Sequence, residues 1–580
     1  MTSLGSQPFQ LTLQAIPVGP KKNNTVHSSA YLDCGGGRLG PRLNAYTYKG
    51  DNAACILPAF DREVWSDDTM NDLRNWLASC TCVECPTARY SSLRYKPKRL
   101  IDVGDDEQRG SVVIMESARC GDCSYTCLSY CWGGPQNTVL SKSNLDEETR
   151  SWCVPREVIP AAFEDAFKVT RLLGYRYIWI DSLCIVQDDK QDLDHEILQM
   201  PHIYKGAALT ICASTSRSCS EGFLQARTDY SERSIGLSLP DGREGRIHLD
   251  GFHWGDPPVP EPLSTRAWAY QERLLSPRLL EFGWRTSRWT CGCRKSYSGH
   301  SQLVVEKSSS SIRRRSPEAQ SYNLYSFMNP PGLRHYPVKV GDLFSTWCLI
   351  VRAYSRLALT HTDDRLAAIG GIAAELQRAS GVKYLAGLWH NERLASMLQW
   401  RVQSHTHELR SRPTTSRAPT WSWPGIDDKV LMHRSEIKVA GFEILVVDVK
   451  GGFGKKAHGS IMLQGPVRTG RWWCGNAVLQ SDASEGVKIA RADNPELLVL
   501  PDCYGEIFTT ANGQLVLTRE ELTFLAIGRT ISDNHIIRGL LLSRGRIEEK
   551  DSYRRVGMFQ VAEQGDFVTA NWDIIALKVV

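Results

Sequence analysis

Residues 172–189 read LLGYRYIWIDSLCIVQDD, and the fold turns on how they are read. YRYIWI (175–180) is aromatic and β-branched and too short for a helix, so it predicts a strand. That strand runs into Asp181, Cys184 and Gln187, side chains that need water or a partner. Upstream, Pro160 stands where a helix can begin, and AAFEDAFKVTRLL places Phe163, Ala166, Phe167, Thr170 and Leu173 on one stripe before Gly174 stops it. Downstream, Leu193, Ile197, Met200 and Tyr204 have helical spacing, with Pro201 predicting a kink or an early end. YTCLSYC (125–131), closed by Trp132-Gly133-Gly134-Pro135, and ALTICAS (208–214) supply a strand on either side.

Strand, helix, strand, helix, strand predicts an α/β fold, a parallel sheet with flanking crossover helices. The carboxyl ends of parallel strands border the crevice where such sheets bind ligands, because backbone groups and helix N-termini are free there. Asp181, Cys184 and Gln187 fall at that mouth, and Trp132 ends the neighbouring strand on the same edge.

The totals narrow the class. The chain has 580 residues, enough for several domains, with 42% hydrophobic and 23% charged residues, as in ordinary folded proteins. A net charge of +5 from 69 basic and 64 acidic residues does not call for nucleic acid as partner. No apolar run reaches the ~18 residues of a membrane span. MTSLGSQPFQLTLQ lacks the pattern of a signal peptide, so a cytoplasmic location is expected. The 18 cysteines are then expected to be reduced. Cys82/Cys85 and Cys120/Cys123 form two C-x2-C pairs, with Cys80 and Cys127 close by. Two such pairs can close a zinc site, but the 34 intervening residues exceed ribbon spacing, so buried thiols and no metal are the favoured reading.

Elsewhere, SDDTMNDLRNWLAS (66–79) predicts a helix capped by Ser66, within a lead-in segment 1–99 otherwise without sustained period. EKSSSSIRRRSPEA (306–319) reads as a solvated linker, and 342–357 and 363–379 read as helices, in a linker and helical region 291–429. From 430 to 580, short β-like runs alternate with turns, predicting a β-rich C-terminal module. GGFGKKAHGS (451–460) reads as a hairpin turn rather than a phosphate loop.

LSYCWGG (128–134), LLGYRYIWIDSLCIVQDD (172–189), MPHIYKGA (200–207) and STRAWAYQERLLSPRLLEF (264–282) resemble the heterokaryon-incompatibility (HET) domain of filamentous fungi. RLIDV (99–103), SRLALTHTDDRLAAIGGIA (355–373), YLAGLW (384–389) and PTWSWPGID (419–427) resemble its flanking segments. The resemblance implies a HET domain over 100–290 with a core similar to the TIR, flavodoxin-like fold. It also implies a role in non-self recognition and programmed cell death. Some TIR modules cleave the glycosidic bond of NAD and others only assemble, so NAD is a candidate substrate with no certain cofactor, and self-association or a partner protein is implied. HET proteins also accompany specialised-metabolite pathways, which leaves a small-molecule enzyme and an inactive scaffold as alternatives. The chain departs from the family pattern at Val186, usually an acid, at Glu196, usually Gln, and at Pro201.

The candidate catalytic residues are Asp181, Glu272 and Cys184, and the candidate binding residues are Ser129, Trp132, Gln187, Arg266 and Trp268. Asp181 can bond a ribose hydroxyl or accept a proton, or it can cap the next turn. On the NAD reading, Glu272 stabilises an oxocarbenium-like centre and Arg266 holds a phosphate; otherwise the two lock their segment as an ion pair. Cys184 serves as nucleophile if a base such as His195 lowers its pKa, or else packs in the core. Ser129 and Gln187 would donate to a ligand. Trp132 and Trp268 would stack on one or anchor the core.

Overall fold

The computed structural model describes residues 44–297 and 340–580, apart from stretches such as 81–94, 105–110, 228–233, 251–259, 404–411 and 471–477. It also describes a hairpin of Leu11–Pro17 and Val26–Leu32. Cys82, Cys85 and the serine-rich tract 306–319 lie outside the described residues. The chain divides into two compact units, Met1–Arg334 and His335–Val580.

The first unit is built on a nine-stranded mixed sheet. Its strands are β1 (Arg99–Asp102), β2 (Ser111–Glu116), β3 (Tyr125–Ser129), β4 (Trp152–Pro155), β5 (Tyr177–Trp179), β6 (Leu209–Cys212), β7 (Arg278–Phe282), β8 (Ser287–Cys291) and β9 (Arg294–Tyr297). The order across the sheet is β9-β8-β7-β6-β3-β5-β1-β2-β4. The central neighbours β7, β6, β3 and β5 are parallel, as the alternation of strand and helix predicts. The outer strands on both sides are antiparallel, which the sequence reading did not include.

Helix α1 (Asp67–Ala78) starts where Ser66 accepts the Thr69 N–H. Helix α2 (Ala161–Leu172) follows β4, leads into β5 and buries Phe163, Ala166, Phe167 and Thr170, and Gly174 turns the chain at φ +78°. A one-turn helix, α3 (Asp181–Cys184), follows β5 directly. Helix α4 (Lys190–Gly206) leads to β6 and α5 (Ala267–Leu275) leads to β7. Pro201 lies inside α4, so the early end does not occur there. Buried Met200, Ile203 and Tyr204 hold the last turns on the sheet, offsetting the hydrogen bond that proline forfeits. All five residues of β3 are buried, and Trp179, Ile180, Phe163 and Ile211 share its core.

The lead-in segment carries more strand than its sequence suggested. Asn44–Tyr48 and Ala59–Phe60 join Ser234–Ser238 and Glu244–Asp250 in a four-stranded side sheet.

In the second unit, helices Val340–Tyr354 and Ala367–Ser380 match the two predicted ones, and Gly381 closes the latter at φ +71°. A ten-stranded sheet follows, almost wholly antiparallel, confirming the β-rich region. GGFGKKAHGS forms the turn between paired strands Glu443–Gly451 and Ala457–Gly470. At the centre, Asp502 takes Arg555 in a two-bond fork (2.9 and 3.0 Å) and Arg412 at 2.7 Å, with the Arg555 guanidinium 3.5 Å above the Trp400 ring.

Candidate functional site

The carboxyl ends of β3 and β5 meet at Asp181, the first residue of α3. Its Oδ1 accepts from the Tyr130 hydroxyl (2.9 Å) and from the Ser182 N–H (2.7 Å), and its Oδ2 accepts from Trp132 Nε1 (2.8 Å). Tyr130 also receives Gln136 Nε2 at 3.2 Å. The chain can present Trp132 here because the next residues turn sharply, with Gly133 at φ +78° and Gly134 at φ +121°. A Cβ on Gly133 would lie 2.0 Å from that of Ser218, so only glycine fits.

Glu272 comes from the middle of α5 and is buried, at 8% exposure. Burial is the main cause that pushes its carboxyl up to about 7. The Asp181 charge adds to this, while Ser129, Arg266 and Tyr204 pull the other way. Burial likewise raises Asp181, against the pull of Trp132, Tyr130, the Ser182 N–H and Arg266. Arg266 caps this corner by donating to the Tyr130 carbonyl at 2.6 Å. Asp181 and Trp132 are hydrogen-bonded, Arg266 joins their corner through the Tyr130 carbonyl, Glu272 lies near enough to feel the charges of Asp181 and Arg266, and Ser129 is buried at the end of β3.

For three further candidates the structure records placements within the fold. Cys184 is fully buried at the end of α3, and burial raises its thiol well above the ordinary value, with Glu196 and Asp181 adding to the shift. The thiolate a nucleophile needs is disfavoured, and the sulfur faces the core, so the packing alternative describes it. Gln187 spends its amide nitrogen on the carbonyls of Asp181 (3.2 Å) and Ile185 (3.0 Å), bracing the loop. Trp268 is half-buried against the main core.

On the far side of α3, Arg99 forks onto Asp192 (2.8 and 3.0 Å) and also reaches the Cys184 carbonyl at 3.0 Å. Asp192 also accepts from Lys98 (2.6 Å) and from the Val186 N–H (2.9 Å). Val186 turns its side chain into the core, at 3% exposure. Glu196 is fully buried, and neither carboxylate oxygen has a hydrogen-bond partner. Burial raises its pKa and neighbouring Asp192 adds to this, while His195, Arg99 and Lys98 pull the other way; the neutral acid is thereby favoured, and it is close in shape to the Gln expected there.

Tyr130, Tyr204 and Ser182 are the residues the sequence reading missed. Tyr130 follows the end of β3 by one residue, which places its hydroxyl against Asp181. Tyr204 sat on the apolar stripe of α4, where its hydroxyl carried no separate signal. Among the described residues, no group of three or more His, Cys, Asp or Glu is placed to hold a metal ion.

Residues 125–272 match the family model described as heterokaryon incompatibility protein (HET). The match opens with β3 and closes on Glu272, so it spans the elements that assemble this cluster. This part of the chain is a HET domain. No curated protein and no solved structure matches the chain. Among the described residues, no helix is long and apolar enough to cross a membrane.

Proposed function

We propose that the protein is a fungal effector of incompatibility and programmed cell death, and that the Asp181–Glu272 crevice binds NAD and cleaves its glycosidic bond. The observation that carries this reading is the pair of carboxyls that feel each other, Asp181 at the end of a parallel strand and Glu272 on α5, with Glu272 poised near 7. The parallel strands, numbered along the chain, lie in the order 2-1-3-4, which supports a TIR-like, flavodoxin-type core. On this reading the HET domain takes in the whole nine-stranded sheet, close to 100–290, and the helical and β-rich parts of the second unit serve sensing or assembly.

In the proposed reaction the bond between the ribose and the nicotinamide nitrogen breaks, and nicotinamide leaves with the electron pair. Ionised Glu272 stabilises the oxocarbenium-like ribose, and water adds to it and gives up a proton. Asp181, fixed by three donors, supplies a steady negative field and orients Trp132 for stacking on a ring. Arg266 is the cation available to a phosphate.

A second reading, an assembly scaffold without catalysis, is favoured by the same three donors, because a carboxylate so fully bonded also serves as a structural lock. Incubating the purified chain with NAD and measuring nicotinamide separates the two. Turnover is expected for the wild type, a loss of 10²-fold or more in Glu272→Ala and Asp181→Ala, and less than a twofold change in Cys184→Ala. Absence of nicotinamide release from folded wild-type protein, with cell death surviving both carboxyl substitutions, selects the scaffold. Turnover of a different small molecule at the same carboxyls selects a specialised-metabolite enzyme.

A further inference from the structure

At the opposite end of β3 from the crevice, the turn that leads into the strand holds Cys120 and Cys123. Their sulfurs lie 2.6 Å apart, against roughly 2.05 Å for the covalent bond. The two are unequal. Cys120 is buried in the main core at 6% exposure, and its thiol donates to the Ser117 carbonyl at 3.1 Å. Cys123 is half-exposed at the edge of the same core. Lys96 reaches over the turn to the Gly121 carbonyl and places a positive charge beside the pair. One accessible sulfur, one shielded sulfur within bonding approach and a nearby cation are what stepwise thiol–disulfide exchange requires.

We propose that Cys120 and Cys123 form a thiol–disulfide exchange site whose co-substrate is a low-molecular-weight disulfide of the glutathione type. Cys123, as thiolate, attacks one sulfur of the external disulfide and expels the first thiolate, which takes up a proton. Cys120 then loses its proton and attacks Cys123 in the mixed disulfide, and the second external thiol leaves. The protein pair is oxidised by two electrons to a disulfide, and the external disulfide is reduced to two thiols. Burial pushes the Cys120 thiol up to about 12, with the neighbouring Cys123 adding to the rise, so the order of attack is fixed with Cys123 first. The bond ties the turn after Arg119 to the start of β3, whose far end carries Ser129. This site stands on its own observations and does not depend on the reading of the crevice.

The test uses the full chain, equilibrated in buffers of graded glutathione to glutathione-disulfide ratio, trapped with a maleimide, digested and weighed. The expected result is one two-electron transition in which the peptide carrying both cysteines loses two hydrogens and its maleimide labels. In Cys120→Ser, Cys123 accumulates as the glutathione adduct, and in Cys123→Ser, Cys120 takes none. Exposed Cys153 reports that the reagent is active. The proposal is overturned if both thiols stay open to alkylation at every ratio while Cys153 gains its adduct. It is equally overturned if the chain carries stoichiometric zinc whose release must precede oxidation. The wild-type titration decides the matter even if a variant fails to fold.

Discussion

Glu196 shows how one buried atom pair sets the chemistry of its surroundings. A fully buried carboxyl with no hydrogen-bond donor among the described residues is harder to ionise, because His195 at 3.9 Å and the charges of Arg99 and Lys98 offset only part of the lost hydration and the repulsion of Asp192. A carboxyl whose pKa is raised on folding contributes stability that is complete below its ordinary value of 4.5 and is lost as pH rises through the raised one. Glu196→Gln removes that loss. The variant is expected to match the wild type at pH 4 and to exceed it at pH 8 by on the order of 1 kcal/mol, read from denaturant unfolding at both values. A variant less stable than the wild type at pH 8 would mean that Glu196 is ionised and paired. Glu272 differs in having Ser129, Arg266 and Tyr204 at hand, so it can ionise near neutrality and remain useful.

The loop after β3 works at the scale of an element. Its two glycines hold the turn that brings Trp132 back onto Asp181, and they are not equivalent. Both have left-handed φ, but only Gly133 faces Ser218, while nothing lies within 4 Å of a Cβ on Gly134. Gly133→Ala is expected to destabilise the protein by about 2 kcal/mol or more and to weaken crevice function, with Gly134→Ala costing roughly 1 kcal/mol from backbone strain alone. Equal losses in a thermal-denaturation comparison would refute the role given to Ser218. The elements around this loop were the legible part of the sequence. The stripe from Phe163 to Leu173, the run at 175–180 and the turn signals between them all agree with one another. The outer strands β1, β2 and β4 were not legible, because short runs such as RLID fix their pairing only against neighbours far along the chain. The helix does not end at Pro201 for a related reason, since burial around Met200 and Tyr204 outweighs the residue's local preference. Between the two readings of Cys184 the sequence could not choose, because the one-turn helix that carries it is too short to leave a period.

For the whole molecule, the division at Arg334 places separate cores in the two units, each with its own buried charges. Arg555, fully buried, forks onto Asp502, and Arg555→Met would leave that carboxylate with Arg412 as its remaining ion-pair partner. A loss of about 3 kcal/mol is expected in the unfolding of the second unit, with nicotinamide release by the first unit unchanged. Calorimetry alongside the activity assay checks this, and parallel loss of both would show that the crevice depends on the C-terminal sheet. The function proposed for the chain rests on ionised Glu272 acting beside Asp181, and the pH dependence of nicotinamide release tests it most directly. The rate is expected to rise as pH increases through about 7 and to level off above it, following ionisation of the carboxyl, and to vanish in Glu272→Gln. A Glu272→Gln protein that releases nicotinamide at the wild-type rate, with the same pH profile, would contradict it.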